Sequence, residues 1–383
     1  MRALIFPNDP LISYVLKGEI KKNYFNPNNI FNEIHFVTFT KKECSINDIK
    51  ITVGNAKCYI HNLSPLSIFN FFVQKNIIKS ILKIIKNYKF DIVRAFNPII
   101  HGFIAGKISK TLDLPFIISL HTNYDLDIRY HYKKNKDLRY FKYLLSKYLI
   151  EKQTLEMATH IIGKYNFASK FALDNGISKN NVSTIYNRIH LDTFRPKINH
   201  SNKDVRVICV GNLIEGKGQR ILLNAMKEID EKISLTIVGD GEDYNLLNKM
   251  VIDYNLTKRV KFIRSIPNNE LAALYQKHEI FSLPIKFGGI CIPALEATAS
   301  GLALVMPQPI HEKNPELVSD YAEVVNNTAE DFAKGINKIA NNLELRKKMI
   351  ADGLELISKI NGDIMELKEF ELYNKVIEKY ENN

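Results

Sequence analysis

Leu283-Pro-Ile-Lys-Phe-Gly-Gly-Ile-Cys-Ile-Pro-Ala-Leu-Glu-Ala-Thr-Ala-Ser-Gly301 reads as the end of a buried strand, a glycine turn and a helix. Gly288 and Gly289 permit a tight turn and close approach of the backbone to a ligand. Pro293 suits a first helical turn, where its missing N–H has no intrahelical partner. Gly301 stands where that helix would stop. The turn, through Ile290, Cys291 and Ile292, therefore presents free N–H groups at the positive end of a helix dipole, which is an anion site. Glu296 lies one turn further on. A phosphate seat beside an acid is what a nucleotide-handling enzyme needs.

The sequence around this stretch repeats one pattern. Val205–Val210 is a buried strand, followed by the loop Gly211-Asn212-Leu213-Ile214-Glu215-Gly216-Lys217-Gly218 and a helix with Ile221, Leu222, Ala225, Met226 and Ile229 on one face. Strand, glycine loop with lysine, then helix is a phosphate-binding arrangement. The spacing is not G-x-x-x-x-G-K-[ST], so it is not read as an ATPase loop. Further strands are expected at 233–238, 260–263, 280–283 and 302–306, with a helix starting over 270–276. Alternation of this kind builds a doubly wound parallel sheet. The tail from Ala329 is mostly helical. Its last helix, Met365 to Tyr380, is long enough to cross back onto the first domain.

The front half shows the same alternation, with short strands at Ala3–Phe6, Ile34–Phe39, Cys58–Ile60, Ile92–Ala95, Phe116–Leu120 and His160–Ile162. Its first loop carries Gly18 but no G-x-G-x-x-G, so a nicotinamide-type fingerprint is absent. Gly18 either brings backbone near a ligand or only shapes the loop. His121 directly follows an apolar strand, and ligands of parallel sheets gather at such strand ends. A lone histidine is more often structural, so both readings stand. Phe69 to Lys89 is expected to be one basic amphipathic helix. Phe72, Ile78, Ile81, Leu82 and Ile85 favour one side, and Lys75, Lys79, Lys83 and Lys86 another. Polar residues 199–204 read as a linker. The expected division is 1–200, 201–364 and a C-terminal helix over 365–383.

Composition narrows the classes. A chain of 383 residues, 45% hydrophobic and 25% charged, has room for two cores. The four cysteines are scattered, with no C-x-x-C, which argues for a reducing compartment and against a zinc site. No leader and no apolar run of about eighteen residues is seen, so a cytoplasmic location is expected. Residues 1–200 hold 30 Lys and Arg against 14 Asp and Glu, while residues 201–383 hold 23 against 27. A basic front half points to an anionic partner such as a membrane surface or a lipid-linked phosphate; the rival reading is compositional bias. The basic, aromatic stretch from Arg129 to Lys152 also has the makings of a nucleic-acid contact, but an acceptor or membrane contact fits a two-domain enzyme better.

The order of these motifs resembles retaining glycosyltransferase family 4. The residues that carry the resemblance are Phe90-Asp-Ile-Val-Arg-Ala-Phe-Asn-Pro98, Leu114-Pro-Phe-Ile-Ile-Ser-Leu-His121, Tyr186-Asn-Arg-Ile-His-Leu-Asp-Thr-Phe194, Val210 to Gly218, Ile237-Val-Gly-Asp-Gly241 and Ile292 to Gly301. The resemblance implies a GT-B architecture, two Rossmann-like α/β domains facing a central cleft. It implies that Lys217 binds the donor diphosphate, that Glu296 holds the donor ribose, and that His121 lies near the transferred sugar. It sets the strand ending at Ile263 against the nucleotide base and the Gly288–Ile292 backbone beside the leaving phosphates.

The chain departs from the family pattern at several of these positions. Gly288 stands where a second glutamate is usual, a register marked by Pro284. Ile290-Cys291 replaces a Phe-Gly pair, and Asn212 replaces an arginine. Arg264 replaces a strand-end glycine; it is a surface arginine by default, but turned inward it would supply the missing arginine's charge. No acidic cluster suggests a metal site, so metal-independent chemistry with no cofactor is expected, the nucleotide-sugar being a substrate. The implied function is transfer of a sugar to a lipid-linked or surface-polysaccharide acceptor in cell-envelope biosynthesis. The other readings are a non-catalytic relative serving as a nucleotide-sugar-binding or scaffold subunit, and, less compatible with the motif order, a sugar-nucleotide epimerase.

Overall fold

Short runs of Ile, Leu, Val and Phe, buried on both faces, make the strands of this chain parallel-sheet material. The computed structural model describes residues 1–16, 20–196, 205–264, 266–286, 290–308 and 320–382. The chain divides into two compact units, Met1–Tyr186 with Met365–Asn383, and Asn187–Ile364.

The first unit holds β1 (Arg2–Phe6), β2 (Glu33–Phe39), β3 (Lys57–Leu63), β4 (Ile92–Ala95), β5 (Phe116–Leu120), β6 (His160–Gly163) and β7 (Val182–Thr184). Among the described residues they form one parallel sheet in the order β3-β2-β1-β4-β5-β6-β7. The order reverses between β1 and β4, so the loops leaving these strands diverge and open a crevice at their C-terminal ends. Asn97, just past β4, reaches across to Asn8, just past β1, with Nδ2 3.4 Å from Oδ1. Gly18, expected in the same region, lies outside the described residues.

The second unit holds β8 (Arg206–Val210), β9 (Ser234–Val238), β10 (Val260–Ile263), β11 (Ile280–Ser282), β12 (Ala303–Pro307) and β13 (Ala322–Val325), again all parallel, in the order β10-β9-β8-β11-β12-β13. Here the order reverses between β8 and β11. The loop carrying Lys217 leaves β8, and the stretch from Leu283 leaves β11, so the two expected phosphate loops start from adjacent strands.

Three details differ from the sequence expectation. The short edge strands β7 and β13 were not anticipated; both sit mainly in half-buried positions, where apolar periodicity is weak. The basic segment is not one helix. Ile68–Val73 forms a tighter turn and the α-helix runs Gln74–Ile85, so Ile81 and Ile85 are buried while Phe72 is 73% exposed rather than on the packed face. The division between units falls after Tyr186 rather than after residue 200. Residues 187–196 are held by the second unit: Gly362 N donates to Ile189 O at 2.8 Å, Gln276 Nε2 to Arg195 O at 3.1 Å, and Phe194 packs against Tyr275.

The last helix, Gly362–Glu381, starts at the end of the second unit and is built into the first. Its Met365, Tyr373, Val376 and Ile377 are buried. Glu366 accepts from the Asn28 amide at 2.8 Å, and Tyr380 donates to Asp113 at 3.0 Å.

The first unit also buries neutral histidines. His35, His61, His101, His121 and His160 are all held below the ordinary imidazole range, chiefly by burial, His101 and His160 at about 4. Their neutral folded forms contribute stability that is complete above pH 6.5 and is lost as pH falls toward the folded values. Within that window His101 and His160, whose folded values are about 4, each cost at most about 1.4 kcal/mol per pH unit. The first unit is therefore expected to melt at a lower temperature at pH 5 than at pH 7. Thermal melting followed across that range checks it, and an unchanged midpoint would contradict it.

Candidate active site

In the second unit, two loops are pinned together. The turn Glu215–Lys217 ends at Gly218, whose φ of +74° is left-handed. A Cβ on Gly218 would lie 2.0 Å from the Pro284 carbonyl oxygen, so only glycine allows this approach. Lys286 N donates to Gly216 O at 2.9 Å, and Lys286 Nζ pairs with Glu215 at 2.8 Å. Asn327 adds Nδ2 contacts at 3.4 Å to the Pro284 and Ile285 carbonyls. On the other side, Gly239 abuts the Gly211 carbonyl, where a Cβ would stand 2.1 Å away. Lys217 thus sits on a loop clamped on both flanks.

The helix from the opening stretch runs Ile292–Ala299, with Pro293 in its first turn. Ala294 and Leu295 donate to the Cys291 carbonyl at 3.1 and 3.2 Å, and Pro293 has no N–H to give. Gly301 follows with φ +79°. Gly288 and Gly289 lie outside the described residues, while Ile290 is buried and Cys291 half-buried. Burial pushes the Cys291 thiol up, and the positive charge of Lys217 and the Ala294 amide draw it partly back. Lys217 and the start of this helix therefore act on one place.

Glu296 is 5% exposed. It lies close to Tyr275, whose phenol is pushed well above its usual range by burial, then by Glu296, Cys291 and Cys209. Tyr275 is fixed by donating to Pro293 O at 3.3 Å. Asn212 is exposed, and its carbonyl accepts from Gln219 at 3.0 Å. The Ile263 carbonyl accepts from Gly239 N at 2.9 Å. Arg264 faces outward: it forks onto Asp240 at 2.9 Å and stacks 4.5 Å from the Tyr244 ring centre. Its charge is committed there rather than turned toward Lys217.

In the first unit, His121 leaves the end of β5 next to Phe96, with ring centres 6.2 Å apart and nearly parallel. Its Nε2 is sealed from solvent and has no hydrogen-bond partner among the described residues. Burial, with Lys164 and Arg94 adding to it and Glu369 opposing, lowers its pKa to about 3. The imidazole is neutral at any physiological pH. Sequence reading missed these neighbours. The available signal was Arg94, a charge inside the apolar strand Asp91-Ile-Val-Arg-Ala95. Among the described residues, no group of three or more His, Cys, Asp or Glu is placed to hold a metal ion. None of the described helices is long and apolar enough to cross a membrane.

Residues 34–193 match the family described as Glycosyltransferase Family 4, and residues 191–355 match the one described as Glycosyl transferases group 1. The chain belongs to glycosyltransferase family 4. This family 4 chain is 32% identical to a GDP-mannose-dependent α-(1-6)-phosphatidylinositol monomannoside mannosyltransferase of Mycolicibacterium smegmatis, over 26% of its own length and 28% of that protein. It is 27% identical to an O-antigen chain mannosyltransferase of Salmonella typhimurium, over 47% of its own length and 50% of that protein. It thus spans half or less of these two relatives. The fold is GT-B, as in the Anabaena protein HepE crystallised in complex with UDP: 98% of this family 4 chain superposes on all of that chain, with a TM-score of 0.73 at 14% identity.

Proposed function

We propose that this chain transfers a hexose from a nucleotide-sugar donor to a glycan or lipid-linked acceptor, with retention of anomeric configuration and without a metal or other cofactor. One observation carries the reading. Lys217 and the start of helix Ile292–Ala299 converge at the switch point of the second sheet, with Glu296 buried one turn behind. A fixed cation and a helix N-terminus neutralise a departing diphosphate without reorganising as the bond breaks. Glu296 is suited to bind the ribose hydroxyls. A neutral His121 with a solvent-sealed, unpartnered Nε2 is suited to hydrogen-bond a hydroxyl of the transferred sugar. The named mannosyltransferase relatives act in lipid and O-antigen glycosylation, which supports a cell-envelope acceptor.

Titration calorimetry with UDP, GDP and ADP, followed by transfer assays with the corresponding donor sugars, tests this. Binding of one nucleotide with turnover supports it. The sugar half of the site carries Gly288 where the family has a glutamate, so nucleotide binding without transfer to any acceptor would favour the scaffold reading. No nucleotide binding at all would remove the donor site.

The proposed location is cytoplasmic, with the front unit peripheral on the inner membrane face. Helices Gln74–Ile85 and Ile100–Leu112 frame a groove of about 650 Å³ lined by Lys75, Lys79, Lys107 and Lys110. Exposed Phe69 and Phe72 stand on the adjoining turn. Lysines flanked by exposed aromatics suit an anionic bilayer surface. Each lysine contributes about 1 kcal/mol there, so reversing all four to glutamate is expected to weaken binding to phosphatidylglycerol vesicles by at least about a hundredfold at low salt. Flotation measures it, and equal binding of the charge-reversed protein would leave compositional bias as the explanation.

A further inference from the structure

Behind His121 lies a buried ion cluster that none of the sequence motifs describes. Arg94, on β4, is 1% exposed. Its Nε donates to the Tyr373 hydroxyl at 2.7 Å, its Nη2 to Ser119 Oγ at 2.6 Å and to Glu369 at 3.4 Å, and its Nη1 to the Ala95 carbonyl at 3.0 Å. Tyr373 in turn donates to Glu369 at 2.9 Å. Lys164, just past β6, pairs with the other Glu369 oxygen at 3.7 Å. Glu369 and Tyr373 come from the C-terminal helix, far along the chain from the strands they meet.

Each arm of this cluster ends on the surroundings of His121. The Arg94 guanidinium lies 4.6 Å from the centre of the Phe96 ring, and that ring stacks on the His121 imidazole. Ser119 lies on β5, two residues before His121, which follows the strand's end. The Lys164 amide donates to the carbonyl of Leu120, the residue before His121, at 2.9 Å. The imidazole thus has a ring wall set by Arg94 and a backbone set by Ser119 and Lys164. Buried ion clusters add little net stability compared with apolar packing of the same volume, so stability alone is a weak reason for one here.

We propose that Glu369 and Tyr373 are positioning residues for His121, acting through Arg94 and Lys164, so that the C-terminal helix completes the sugar-binding half of the active site. This rests on the reading that His121 meets the transferred sugar. Glu369 holds the two cations where they border the imidazole, and Tyr373 fixes the angle of the guanidinium beneath Phe96. The charged groups facing His121 are Arg94 from β4, Lys164 after β6 and Glu369 from the C-terminal helix. With two cations against one carboxylate, they favour the neutral ring that burial already selects.

The test uses the full chain and the conservative variants Tyr373→Phe and Glu369→Gln, each alone and combined with His121→Ala. Tyr373→Phe is expected to lower kcat about tenfold, with the donor KM and the Kd of the free nucleotide within about twofold of the parent, because the nucleotide-binding residues lie in the other unit. In the His121→Ala background it is expected to have no further effect, since groups acting through one residue are not additive. Should Glu369→Gln fail to fold, Tyr373→Phe still decides, because it removes one hydroxyl and keeps the ring. Loss of kcat that multiplies independently of His121, or an unchanged kcat in Tyr373→Phe, overturns the positioning role alone. If His121→Ala itself transfers at the parental rate, the role of His121 and this proposal fall together.

Discussion

Lys217→Ala is expected to abolish measurable transfer and to weaken nucleoside-diphosphate binding by about a hundredfold or more. Removing one preorganised donor to a developing oxyanion costs about 10²–10³ in kcat, and a charge paired with a buried anion is worth about 2–5 kcal/mol. Here little stands ready to compensate. Asn212 occupies the place of the family's arginine, and Arg264 is spent on Asp240 and Tyr244. The lysine's loop is clamped by Lys286 and by the close approach of Gly218 to Pro284, so the backbone that carries it is held in place before the donor arrives. Calorimetry on the variant separates the two effects. Transfer at the parental rate would mean that another cation neutralises the diphosphate and that the phosphate seat is misassigned.

Gly218→Ala is expected to have the second-largest effect, and through geometry rather than charge. Two penalties coincide at this position. A side chain in the left-handed region costs about 1–2 kcal/mol, and the new Cβ would lie 2.0 Å from the Pro284 carbonyl, which is backbone and cannot swing away. The loops from β8 and β11 must separate, so the variant should lose about 3 kcal/mol or more of stability in the second unit and much of its nucleotide affinity. Gly176→Ala is the control. Its φ is +85°, but a Cβ there meets nothing within 4 Å, so it should show the conformational penalty alone and leave nucleotide binding intact. Urea unfolding of both variants makes the comparison. Equal stability losses would show that the contact with Pro284 is not what holds the two loops together.

Much of the architecture was legible in the order of strands and glycine loops. The largely apolar runs at 92–95, 116–120 and 206–210 mark strands buried almost throughout, as in a parallel sheet covered on both faces. β7 and β13 escaped notice because an edge strand of three or four half-buried residues carries almost no periodic signal. The basic segment at 69–89 was misjudged in a telling way. The periodic lysines begin only at Lys75, inside the α-helix, while the residues before Gln74 form a tighter turn, and that change of pitch leaves Phe72 exposed. Of the site, Lys217, Glu296 and His121 are visible because each follows a strand end or a glycine loop. Arg94 is marked only as a charge inside an apolar strand, and nothing local marks Lys164, Glu369 and Tyr373 as its neighbours.

The linear pattern of this chain thus contains its two sheets, its glycine loops and its family, because those follow from local periodicity and from glycines whose backbone geometry few other residues can adopt. What the pattern leaves open was decided by tertiary contacts. The glycine loop after β8 becomes a clamp only because β11 lies beside β8 in the sheet. Arg264 becomes a surface residue because Asp240 and Tyr244 capture it. His121 gains its walls because residues from β4, β6 and the C-terminal helix meet behind it. A buried charge must find its counter-charge in three dimensions, and the partner that Arg94 finds, Glu369, lies on a helix that only the folded chain brings back to the first sheet.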